Sequence, residues 1–222
     1  EKGIFNRAAN RSQFSVLNSQ LNGWWNSLAA GDFDRDGDVD YLAGNLGLNA
    51  LNRATPDEPI RIYAKDFNND GAYDAIPTVY FPDESGQRRE VTFHGRDDLI
   101  KQLISTRAKF PRYRDFGNAT MDALLPAEDR KGAVVREADY LKSVFIENKG
   151  EGKFDVRPLP LLAQVAPLFG MVTDDFDGDG HLDALLVGND FGNEVLIGRY
   201  DALNGLLLRG DGKGGFTPMT IA

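Results

Sequence analysis

Short apolar, β-prone runs recur along the chain, and each ends at a turn residue. Tyr41-Leu42-Ala43 stops at Gly44-Asn45, Ala184 to Val187 stops at Gly188-Asn189, and Ala75-Ile76-Pro77-Thr78-Val79-Tyr80-Phe81 follows the same habit. Such runs predict strands. A second unit appears twice: Val144-Phe145-Ile146, a Gly-rich tract and Phe154 match Leu206-Leu207-Leu208, a Gly-rich tract and Phe216. Each reads as a hairpin whose tight turn uses the positive φ that glycine tolerates. Repeated hairpins alternating with repeated loops predict a radial or solenoid β architecture rather than one sandwich.

One stretch breaks the pattern. In Asp97-Asp98-Leu99-Ile100-Lys101-Gln102-Leu103-Ile104 the apolar residues fall at i, i+1, i+4 and i+5 behind two acids, which is one face of a helix with a favourable first turn. A break at Phe110-Pro111 precedes a second helical stretch around 115–125, closed by Pro126. Residues 95–140 therefore read as a helical insertion. The expected fold is all-β with that insertion, one domain over 1–222 made of about three to four blade-like repeats, with the hairpin at 206–216 beginning a further one.

Composition narrows the chemistry. The chain has 222 residues, no cysteine, and 34 acidic against 25 basic residues, for a net charge of -9. A disulfide scaffold, a thiolate zinc site, a cysteine nucleophile and an iron–sulfur cluster are excluded. The acidic balance argues against nucleic acid and anionic membrane surfaces as partners, and no apolar run is long enough to span a bilayer. The opening Glu1-Lys2-Gly3 reads as a processed or excised start.

The charge is concentrated. Windows 32–40 (DFDRDGDVD), 66–74 (DFNNDGAYD) and 175–183 (DFDGDGHLD) hold 12 of the 34 carboxylates and one basic residue, Arg35, leaving 24 basic against 22 acidic residues elsewhere. All three share Asp-Phe-(Asp/Asn)-x-Asp-Gly-x-apolar-Asp. Packing carboxylates this densely calls for a counter-charge. Hard divalent cations take six to eight oxygens, and such a loop can turn side chains 1, 3, 5 and 9 inward with the carbonyl of residue 7. Glycine at position 6 (Gly37, Gly71, Gly180) permits the turn, and the apolar residue at position 8 (Val39, Tyr73, Leu182) is expected to anchor the loop in the core. Flexible all-oxygen ligation favours Ca²⁺ over Mg²⁺ or zinc, at about three sites, the second weakest because Asn68 is neutral. An EF-hand needs Glu at position 12 and flanking helices; position 12 here is Ala43, Pro77 and Leu186.

These loops, the Gly-Asn after two of them, the two Gly-rich hairpins and Leu168-Phe169-Gly170 resemble the FG-GAP/VCBS repeats of integrin-α-like and cartilage-acidic-protein-like β-propellers, including large secreted bacterial proteins. The resemblance implies a partial propeller carrying Ca²⁺ in its loops. The implied side-chain ligands are Asp32, Asp34, Asp36 and Asp40; Asp66, Asn68, Asp70 and Asp74; and Asp175, Asp177, Asp179 and Asp183, with Asp38, Ala72 and His181 giving backbone carbonyls only. It further implies an extracellular, cell-surface or periplasmic module that binds a protein or glycan without catalysis, its open propeller edges available for association. The alternative is part of a propeller enzyme acting on polysaccharide, as a lyase.

Other residues read as structural. His94 is expected at a blade edge and the His181 ring in solvent. Trp24-Trp25 reads as one core and one junction residue on a strand. Arg107, Lys109, Arg112 and Arg114 read as a solvated face paired with nearby acids.

Overall fold

The apolar runs form strands, and the strands assemble into three four-stranded antiparallel sheets. The computed structural model describes residues 21–193 and 197–219. Strands β1 (Ser27–Gly31) and β2 (Asp40–Gly44) pair around the first aspartate loop, and β7 (Val144–Asn148) and β8 (Phe154–Pro158) form the first Gly-rich hairpin. Because β2 pairs with β7, the two hairpins fuse into one meander, β1-β2-β7-β8, here termed the split sheet. The same construction repeats without interruption in the continuous sheet, where β9 (Leu168–Asp174) and β10 (Asp183–Gly188) flank the third loop and β11 (Leu206–Gly210) and β12 (Phe216–Met219) complete the meander. The hairpin at 206–216 thus finishes a sheet rather than beginning one.

The described residues divide into two compact units: those up to 51 with those from 141 onward, and residues 52–140. Where a helical insertion over 95–140 is expected, the excursion is longer and carries its own sheet. That inserted sheet orders β5 (Arg88–Thr92), β4 (Asp74–Pro82), β3 (Ile60–Lys65) and β6 (Val134–Ala138). Helices α1 (Arg96–Gln102), α2 (Ser105–Lys109), α3 (Tyr113–Gly117) and α4 (Met121–Leu124) lie between β5 and β6 in sequence. Tyr63 and Ile76 of the sheet share a core with Leu99, Leu103, Phe110, Met121 and Leu124 from the helical segment. Val134-Val135 at the end of the segment is strand because β3 offers it an edge, a long-range partner that local periodicity does not reveal.

In the first unit one core joins both sheets: Leu42 and Phe145 from the split sheet with Ala184, Leu186, Leu206 and Leu208 from the continuous one. Gly44 permits the close approach, since a Cβ there would lie 2.6 Å from the Leu168 carbonyl oxygen. Ser27 Oγ donates to that same oxygen at 2.7 Å. The two Asn residues of the Gly-Asn pairs hold chain rather than ligand. Asn45, fully buried, accepts from the Leu46 N–H at 2.8 Å, and its own N–H donates to Ser143 Oγ at 3.0 Å. Asn189 Oδ1 accepts from the Leu203 N–H at 2.9 Å.

Candidate metal centre

Each aspartate loop is built from the same local hydrogen bonds. The carboxylate at position 1 accepts from the N–H groups of positions 5 and 6: Asp32 from Asp36 at 3.1 Å and Gly37 at 3.2 Å, Asp66 from Asp70 at 3.1 Å and Gly71 at 2.9 Å, Asp175 from Asp179 at 3.1 Å and Gly180 at 2.9 Å. Position 5 in turn accepts from the N–H of position 7, namely Asp38 at 2.8 Å, Ala72 at 2.9 Å and His181 at 2.9 Å. The glycines at position 6 adopt left-handed φ of 94°, 90° and 85° with open space where a Cβ would stand, so the demand is on the backbone alone. Position 4, unassigned in the sequence pattern, is left-handed as well: Arg35 at 65°, Asn69 at 59° and Gly178 at 78°.

Position 9 anchors the loop. Asp40, Asp74 and Asp183 are buried, and each accepts from the N–H of position 2: Phe33 at 3.2 Å, Phe67 at 3.0 Å and Phe176 at 3.0 Å. At position 8, Val39 and Tyr73 are exposed rather than core anchors, and only Leu182 packs on the core. The anchoring apolar residue is the phenylalanine at position 2 in the first loop. Phe33 is buried edge-on against Phe145 and Phe216, with ring centroids 5.8 and 5.5 Å away. Phe67 is partly buried, and Phe176 is 44% exposed.

Carboxylate oxygens converge at two of the three loops. One oxygen each from Asp32, Asp34 and Asp40 lie within 4.8 Å of one another, and the same holds for Asp175, Asp177 and Asp183. Asp36, Asp38, Asp179 and His181 stand outside these groups of three, as do Asp66, Asp70 and Asp74 of the second loop. In that loop Asn68 Nδ2 donates to Asp70 Oδ2 and to the carbonyl of Gln102, both at 2.9 Å, while Gln102 Oε1 accepts from the Ala75 N–H at 3.0 Å. The end of α1 thus backs the second loop.

The other two loops face a strand residue that the nine-residue pattern does not contain. One step beyond the Tyr41–Ile146 pair stand Asp40 and Glu147; one step beyond Ala184–Leu208 stand Asp183 and Arg209. Buried Glu147 is paired with Lys149 and, at 2.8 Å, with Arg157 Nη2. Burial pushes the Asp34 carboxyl up from 3.8 to about 6, and a hydrogen bond to Glu147 adds to the shift. Burial opposes ionisation of Glu147 too, yet the hydrogen bonds from Lys149 and Asp34 hold it below its ordinary value. Burial also raises Asp40, and Asp74 in the second loop. In the third loop Arg209 instead supplies a cation, with Nε 2.6 Å from Asp177 Oδ2 and Nη2 2.8 Å from Asp179 Oδ2. The His181 N–H and Arg209 together lower Asp179.

No family model, no curated protein and no solved structure matches this chain. The donor set must therefore speak for itself. It is all oxygen, the chain has no cysteine, and the imidazole of His181 packs on the turn at Gly212 instead of facing solvent. These groups fit a hard divalent cation.

The remaining singled-out residues are structural or peripheral. Trp24 and Trp25 precede β1 and are both exposed, so neither is core. His94 follows β5 and is half-buried, its N–H donating to Thr92 Oγ1 at 3.2 Å. Arg112 lies 3.6 Å from Asp115, and Lys109 Nζ donates to the Leu124 carbonyl at 2.8 Å, as a solvated basic face would. Among the described residues no helix is long and apolar enough to cross a membrane.

Proposed function

We propose that the chain is a calcium-binding repeat module of the FG-GAP/VCBS β-propeller type. It acts outside the cytoplasm as a non-enzymatic protein- or glycan-binding scaffold, with Ca²⁺ fixing its aspartate loops. The observation that carries the reading is the convergence of Asp32, Asp34 and Asp40, matched in congruent geometry by Asp175, Asp177 and Asp183. The blade interpretation draws support from two four-stranded meanders that each place an aspartate loop between their first two strands. In this reading Asp32, Asp34 and Asp40 hold the first ion and Asp175, Asp177 and Asp183 the third, and each ion adds positive charge to its clustered carboxylates. Arg209 already neutralises part of the third set, so the first site binds more tightly.

Calorimetric titration of EDTA-treated protein with CaCl₂ and MgCl₂ tests the metal assignment. Calcium is expected to bind with preference over magnesium, and a site filled at 100 times its Kd adds about 2.7 kcal/mol of stability, or several degrees in Tm. Identical melting curves in excess EDTA and in millimolar calcium would sink the assignment. A glycan array probed with the calcium-loaded protein then separates glycan from protein recognition.

A further inference from the structure

The three aspartate loops share their backbone hydrogen bonds, so position 3 can be compared directly among them. In each loop one oxygen of that side chain accepts from the N–H of position 5: Asp34 Oδ1 from Asp36 at 3.3 Å, Asn68 Oδ1 from Asp70 at 3.0 Å and Asp177 Oδ1 from Asp179 at 3.1 Å. The loops part in what else that side chain meets. Asp34 is hydrogen-bonded to Glu147, and Asp177 Oδ2 lies 2.6 Å from Arg209 Nε. At Asn68 the second terminal atom is an amide nitrogen, which donates to Asp70 Oδ2 and to the Gln102 carbonyl, both at 2.9 Å. Partners on both sides fix the orientation of this amide. A flipped group would set its oxygen against two acceptors and its nitrogen against a donor.

An amide NH₂ only donates and offers a cation no ligand. Here it also ties position 3 to position 5, two side chains that a bound ion would otherwise draw together. Gln102 is the last residue of α1, and its carbonyl is among those that a helix leaves without an internal partner, so the Asn68 amide satisfies it. The Gln102 side chain makes a second tie, Oε1 accepting from the Ala75 N–H of β4 at 3.0 Å. One helix residue thereby holds both the loop and the strand that follows it, while Leu99 of the same helix is buried in the core of residues 52–140. We infer that protein groups lock the second loop in place of an ion: Asn68 closes it, Gln102 ties it to α1, and its shape is independent of calcium. The contrast with the first and third loops rests on the metal reading above, whereas the lock itself rests on these hydrogen bonds alone.

Amide hydrogen exchange of the full chain, in EDTA and in millimolar CaCl₂, tests the lock, because exchange reads local opening loop by loop. In the unmodified chain, residues 66–74 are expected to exchange at the same rate in both conditions, while 32–40 and 175–183 slow when calcium is added. Asn68→Asp removes the donor and keeps the oxygen that accepts from Asp70. Aspartate already stands at this position in the other two loops, so the fold accommodates it. In EDTA the variant is expected to exchange about tenfold faster over 66–74, as the loss of a hydrogen bond and an added like charge imply. Slower exchange of 66–74 with calcium in the unmodified chain would overturn the proposal, and so would a variant that exchanges as slowly as the parent in EDTA. If 32–40 and 175–183 ignore calcium, the metal assignment falls, and the comparison of parent with variant in EDTA still decides the lock.

Discussion

At the first loop the strand residue facing the aspartates is Glu147; at the third, in the same place relative to the buried aspartate, it is Arg209. The loops themselves share their backbone hydrogen bonds and left-handed positions. What differs is the charge brought up from outside the motif. The first loop concentrates carboxylates until Asp34 holds its proton to about 6, whereas the third has an internal cation on two of its four acids. The motif sets the geometry of a site, and the neighbouring strand sets how strongly the site needs an ion.

The largest test of this pairing removes the anchor. Asp40→Ala leaves the N–H groups of Phe33 and Asn148 without their acceptor inside a buried site, and we expect a loss of about 2–4 kcal/mol in urea unfolding. Asp183→Ala strips Phe176 and Gly210 of theirs but leaves no aromatic plug behind, so the loss should be smaller. Equal losses would show that the Phe33 cluster adds nothing to the anchor.

Exchanging the facing charges comes next. Glu147→Arg should weaken calcium at the first loop by about 10- to 100-fold, and Arg209→Glu should strengthen it at the third by about tenfold, as expected for charges a few ångströms apart at a partly screened site. Titration calorimetry reads both. Affinities that do not move in opposite directions would remove the facing residue from the account.

A pH titration sharpens the contrast with a smaller effect. The folded Asp34 carboxyl titrates at about 6 against 3.8 in the unfolded chain, so the folded state holds the proton more tightly. Its stabilising contribution is complete below about pH 4, falls as pH rises through 6 and is absent above that. In EDTA, Tm should decline across this window, and Asp34→Asn should flatten the decline. The smallest effect concerns position 4. Arg35 bears a left-handed φ of 65° where the third loop uses Gly178, so Arg35→Gly should gain about 0.5–1 kcal/mol by relieving that strain.

Much of this was legible in the sequence because it is local. The turns of both Gly-rich hairpins, the strands after each loop and the left-handed glycines follow from a few consecutive residues, and the structure has them at those positions. Helix in the 97–125 stretch was legible from apolar spacing, although Leu103 ends α1 and leaves Ile104 exposed. Other features were not readable this way. Position 8 is apolar in all three loops, yet Val39 and Tyr73 are exposed while Leu182 packs on the core, a difference that no local pattern encodes. Val134–Ala138 carries no signal separating it from the helical segment until β3 is beside it.

By itself the sequence determined the shape of the aspartate loops. Nearest-neighbour hydrogen bonds and φ preferences are short-range, and repetition makes them recognisable. Tertiary structure decided which hairpins share a sheet and which charge faces each loop. Asp40 meets Glu147 only because β2 pairs with β7 across the whole of residues 52–140. Pairing over such a distance depends on matched faces and a common core, which no window of adjacent residues encodes.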